Sequence, residues 1–254
     1  MHRLPFEQEL LVLIQATALI GLLVRLCWIG LHRIYAYFFG YLFVSFVQTC
    51  VPLVVPFDSL SYRNAWLVTE ALIISFYILV VLELYSIIFQ GLPGIAQLSR
   101  RYVQVSVGFA ILTSLLLLGL EKNNGGILAH FLTFERAIIF SLVLFVLLLT
   151  AFLAYYPTPL KRNVIIYSIG YAVYFLAKAT AIFINNLGYY WNRELSNIRL
   201  AACLGCLVFW LFALNRAGET KAVVLSHQWS AQDEERLLEH LSAINTSLLR
   251  TARK

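Results

Sequence analysis

The stretch NVIIYSIGYAVYFLAKATAIFINN, residues 163–186, carries a single charge, Lys178, in an otherwise apolar and aromatic run. Wound as an α-helix at ~1.5 Å per residue, a run of this length crosses the ~30 Å hydrocarbon layer of a bilayer. Strands of a closed barrel would alternate apolar and polar residues, and this run does not. Reading outward finds further runs of the same kind at 10–30, 34–55, 65–90, 102–120, 134–156 and 198–215. With short links between them, neighbours in sequence must lie antiparallel. The fold class expected is all-α: a polytopic membrane protein with a seven-helix transmembrane domain over residues 1–215. A connector over 216–228 and a C-terminal cytoplasmic amphipathic helix over 229–254 complete it.

Composition agrees. Of 254 residues, 61% are hydrophobic and 13% charged, about half the charged share of a soluble domain. Mean hydropathy is +0.79. The net charge of +6 is spread between apolar runs rather than gathered on a face, so the partner expected is a lipid bilayer and not a nucleic acid. No cleavable leader is expected, because residues 1–8 lack a basic start and the next apolar run is long enough to span. The four cysteines, Cys27, Cys50, Cys203 and Cys206, lie within apolar runs. Cys203 and Cys206 form a CxxC without polar company, which suits small-residue helix packing better than redox or metal chemistry.

Orientation follows from the basic residues. Arg33, Arg100, Arg101, Lys161, Arg162, Arg216 and Lys221 fall at one set of helix ends, with Arg236, Arg250, Arg253 and Lys254 in the tail. Arg3, Arg63, Lys122, Arg136, Arg193 and Arg199 fall at the other. The first set holds two basic pairs in short loops, which predicts an outer N-terminus and a cytoplasmic C-terminus in a plasma or inner membrane.

Charges inside the spans are the candidates for function. Glu70 and Lys178 lie about equally deep in the outer half, and are expected to pair, with Gln48 and Gln15 in reach. Arg25 and Glu83 match in depth in the inner half and form a second expected pair. The words LAKATAIF and AWLVTEAL locally resemble microbial rhodopsins, which carry a retinal Schiff base. There the lysine is on the last of seven helices, whereas a full span follows Lys178, so no cofactor is expected. None of the histidines His2, His32, His130, His227 and His240 is mid-span, so no metal or haem site is expected either. No catalytic set is expected, because no HExxH, nucleophile elbow or carboxylate dyad is present.

The second and sixth spans share a pattern. GYLFVSFVQT from Gly40 and GYAVYFLAKA from Gly170 place Gln48 and Lys178 eight residues after the glycine, and Arg63 matches Arg193 at the same offset. This suggests that spans one to three repeat, in parallel, as five to seven, as in some transporters. The Pro-Gln mark of the small seven-helix sugar carriers is absent.

In the tail, Ser230 is a candidate N-cap, and Leu237, Leu241, Ile244 and Leu248 form a seam at coiled-coil spacing. Asp233, Glu234, Glu235 and Glu239 balance Arg236, Arg250, Arg253 and Lys254, so the helix lacks the cationic excess of a membrane-surface anchor. Residues 229–254 are expected to engage a partner protein or another copy. Two functions follow: a non-enzymatic receptor-like or accessory membrane protein acting through that tail, and a small-solute transporter with its site between the second, third and sixth spans.

Overall fold

The computed structural model describes residues 6–56, 59–90, 112, 127–155, 159–186, 192–220, 222–224 and 231–252. The expected fourth span apart from Leu112, the expected N-cap Ser230 and the side chain of Leu248 lie outside the described residues. The helices are α1 (Phe6–Ile29), α2 (Ala36–Val54), α3 (Leu60–Ile88), α4 (Ile127–Tyr155), α5 (Arg162–Asn186), α6 (Asn192–Ala213) and α7 (Ala231–Ala252). Thus α4, α5 and α6 correspond to the fifth, sixth and seventh expected spans, and α7 to the tail.

Local chemistry sets several boundaries. Gly30, at φ 82°, ends α1 in the left-handed conformation that a side chain would oppose. A short 3-10 turn, Leu31–Arg33, then feeds α2. Pro52 lies within the last turn of α2, which stops at Val54. Ser59 caps α3, its hydroxyl accepting from the Tyr62 amide at 3.0 Å.

Among the described residues, α1, α2, α3, α4 and α5 contain stretches long and apolar enough to cross a membrane, and α6 has a shorter apolar stretch, Leu200–Ala213. The helices close into a ring. Each of α1 to α3 packs on the next, α4 packs on α3 and α5, and α6 packs on α5 and back on α1. The ring's outside is apolar, with Val24, Phe43, Leu72, Leu148, Leu176 and Phe212 all exposed. Such a continuous apolar exterior fits a bilayer as its solvent.

The interior is aromatic. Phe38 packs edge-on against Tyr167, Tyr171 and Trp210, with ring centroids 4.8–5.8 Å apart. The two glycines of the GY words each seat a large ring of the following helix. A Cβ on Gly40 would strike the Phe76 ring of α3, and one on Gly170 the Trp210 indole of α6. The repeat-like words therefore do the same job in α2 and α5.

The segment after α6 is more than a linker. Residues Ala222–Val224 (β2) pair antiparallel with Pro159–Lys161 (β1), Leu160 opposite Val223. Between α6 and β2, Glu219 accepts from the Tyr35 hydroxyl at 2.6 Å and from Asn163 Nδ2 at 3.0 Å, and pairs with Lys161 at 3.2 Å. Asn163 Nδ2 also donates to the Asn215 carbonyl at 2.8 Å. Burial, reinforced by the Glu219 carboxylate, holds the Tyr35 hydroxyl well above its usual pKa. We call this group the latch.

Because the Trp210 indole fills the space over Gly170, Gly170→Ala should destabilise the bundle by about 1–3 kcal/mol. Thermal unfolding of the purified protein in detergent reads this, and Gly205→Ala, with open space at its Cβ, should leave the midpoint in place.

Candidate functional site: a buried charge triad and a tyrosine column

One face of α5 carries Tyr167, Tyr171, Tyr174 and Lys178 at spacings of four, three and four. On a helix these side chains line a single inward stripe. Lys178 is buried. Its Nζ lies 3.1 Å from Glu70 Oε1 of α3 and 2.8 Å from Glu135 Oε1 of α4. The second oxygen of Glu70 accepts from Gln48 Nε2 of α2 at 2.6 Å. Four helices thus meet at one ionic cluster, with two carboxylates facing one ammonium. Lys178 Nζ also donates to the Tyr77 hydroxyl at 3.4 Å and sits 4.9 Å from the centre of that ring.

Glu70, Lys178 and Gln48 are therefore brought together, and Gln48 and Lys178, the matched residues of the GY words, bind the two oxygens of the same carboxylate. Gln15 goes elsewhere: its amide points to Cys203 Sγ of α6, 3.7 Å away, because α1 packs on α2 and α6. Glu135 has no place in the sequence-level reading. The hydropathy run opens at Phe134, which puts Glu135 at the rim. The helix begins at Ile127, so Glu135 is already about two turns inside it. The signal was the Glu135–Arg136 dipeptide within a helix-compatible stretch.

The expected pair of Arg25 with Glu83 does not form. Arg25 donates to the Leu214 carbonyl just past the end of α6, at 3.1 Å, placing a cation where carbonyls stand unpaired. Glu83 accepts from the backbone amides of Tyr37 and Phe38 at 3.1 and 3.3 Å, an anion at the N-terminus of α2. Equal depth was a poor guide because α2 stands between α1 and α3 in the ring. Each charge found a helix end instead of the other.

From the triad, hydroxyls continue along the interior. Those of Tyr77 and Tyr174 are 2.6 Å apart. Further along, the Tyr167 hydroxyl donates to Glu83 Oε2 at 3.5 Å. Phenols can donate and accept at once, so the stripe offers polar groups through a core that packing alone would fill with phenylalanine.

In the tail helix α7, Leu241 is 3% exposed, and Leu237 and Ile244 are half-buried. Glu235, Arg236, Glu239 and His240 are exposed. Part of the expected seam is thus covered within a single chain.

Protein-family models, curated proteins and solved structures offer no match to the chain.

Removing Lys178 would leave Glu70 and Glu135 buried without their cation. Breaking a buried pair in this way costs about 3–5 kcal/mol, so Lys178→Met should unfold at a much lower denaturant concentration. Adding Glu70→Gln and Glu135→Gln to that variant should restore much of the loss, because the uncompensated charges go with them.

Proposed function

We propose that this chain is a small-solute transporter whose site is the Lys178–Glu70–Glu135–Gln48 cluster. The observation that carries the reading is Lys178 held between carboxylates of two other helices, deep in a ring of apolar spans. Helix packing in a membrane is served well enough by small residues and neutral hydrogen bonds. A buried triad of full charges is costly, and intramembrane ionisable groups mark solute and ion paths. The cluster sits where α2, α3, α4 and α5 meet, so rocking of one group of helices against the other would expose it. The two GY words, each feeding a polar residue to Glu70, suit the repeat-built sites of transporters. Taking the C-terminal tail as cytoplasmic, the site lies in the outer half of the bilayer.

An ammonium flanked by carboxylates and an amide selects small solutes that bear amino or carboxylate groups. The reading in which residues 229–254 recruit a partner protein or a second copy ranks below this one. Leu241 is already buried within one chain, which leaves less of the seam to offer.

The test is uptake of radiolabelled amino acids and mono- and dicarboxylates into proteoliposomes of the purified chain. At least one of these solutes should accumulate above the level of empty liposomes. Glu70→Gln and Lys178→Met should remove that uptake, and uptake unchanged in folded variants would count against the site.

A further inference from the structure

We infer that the buried tyrosine column is a proton path through the bundle, made at both ends and gated at Tyr171. At one end the Lys178 ammonium donates to Tyr77, and Tyr77 and Tyr174 share a short hydrogen bond of 2.6 Å. At the other end the Tyr167 hydroxyl donates to Glu83. Tyr171 stands between them on α5, fully buried. Its ring lies 5.0 Å from that of Tyr167 and 6.1 Å from that of Tyr41, and Tyr41 in turn lies 6.3 Å from Tyr174. Among the described residues the Tyr171 hydroxyl meets no hydrogen-bond partner within 3.5 Å, and the Tyr167 hydroxyl is a group it faces.

That orphan hydroxyl is the informative feature. A buried polar group left unbonded is costly, and phenylalanine would fill the same space without the cost, as Phe38 and Phe175 do nearby. The hydroxyl makes sense as a group that bonds in a second arrangement, when the rings of Tyr41 and Tyr171 turn and join the two halves of the column.

With the column joined, transfer runs from the Lys178 ammonium, which can only donate, towards the Glu83 carboxylate, which can only accept. A Lys178 N–H bond breaks as its proton joins the Tyr77 oxygen. Tyr77 passes its own proton to Tyr174, and Tyr41, Tyr171 and Tyr167 relay in turn. The carboxylate of Glu83 takes the last proton and becomes a carboxylic acid. Each tyrosine ends with the one O–H bond it began with, and Lys178 is left a neutral amine. Glu135, 2.8 Å away, restores that proton by handing over one taken up from its own side of the membrane. One proton and one positive charge have then moved from the triad to Glu83, and no oxidant or reductant takes part. Glu83 returns to a carboxylate by giving its proton back to Tyr167, which passes one to Tyr35. Tyr35 passes one to Glu219, and Glu219 to solvent beside Lys161, so the exit lies at the latch. The Tyr35 ring is 5.1 Å from that of Tyr167, and Glu219, which holds the Tyr35 hydroxyl, pairs with Lys161, whose side chain is 47% exposed.

This deepens the transport reading, making the proton its coupling ion, but it is tested without any solute. The full chain is reconstituted into liposomes that enclose the pH dye pyranine, with a potassium gradient and valinomycin to draw protons inward. Wild-type vesicles should acidify faster than empty ones. Tyr171→Phe and Tyr77→Phe should fall to the rate of empty vesicles. Tyr85→Phe, at a buried tyrosine on α3 outside the column, should match wild type. Phenylalanine keeps the ring, and an unchanged thermal midpoint shows that each variant is folded. Wild-type vesicles no faster than empty ones, or a folded Tyr171→Phe as fast as wild type, would overturn the proposal. Acidification with no uptake of any solute tested would sink the solute reading and leave the proton path standing.

Discussion

The Lys178 ammonium, held by Glu70 and Glu135, is the constraint on which the rest of the bundle depends. Charges this deep cannot fall back on water, so each must be met by another group in the protein. Meeting Lys178 fixes α3 and α4 against α5, and the free oxygen of Glu70 draws in α2 through Gln48. Apolar side chains facing lipid tails supply little preference for one helix arrangement over another, since the tails are as apolar as they are. The triad supplies that preference. It sets which helices are neighbours, how deep each sits and which face of α5 turns inward.

The same rule governs the opposite end of the bundle, where helix termini take the place of side-chain partners. Arg25 answers the carbonyl end of α6 and Glu83 the amide end of α2. Such end-to-side contacts tie each helix terminus to the flank of another helix. Fraying of one end then costs a contact on its neighbour as well, and the ring behaves as a unit.

Much of this was legible in the sequence. Apolar runs located each described helix of the ring, because a bilayer demands continuous hydrophobic length. Depth counting placed Glu70 beside Lys178, since both lie on helices that pack on common neighbours. It failed for Arg25 and Glu83 because depth says nothing about order around the ring. It missed Glu135 because hydropathy reports where a helix becomes apolar and not where it begins, and α4 starts at Ile127. The tyrosine stripe at 167, 171 and 174 was in plain view but reads as an interfacial or core aromatic pattern until the ring shows that it points at Lys178. The pairing of β1 with β2 had no sequence signal beyond proline and a few apolar residues, too short a pattern to register.

The β1–β2 ribbon also sets the freedom of the terminal helix. With β2 ending at Val224 and α7 beginning at Ala231, the chain between them spans at most about 25 Å even when fully extended. The helix is therefore on a short leash pinned to the bundle by Glu219 and Asn163. At that reach its local concentration over the membrane face beside the latch is of the order of millimolar. Any surface that covers Leu241 by pulling the helix outward must compete against that closeness.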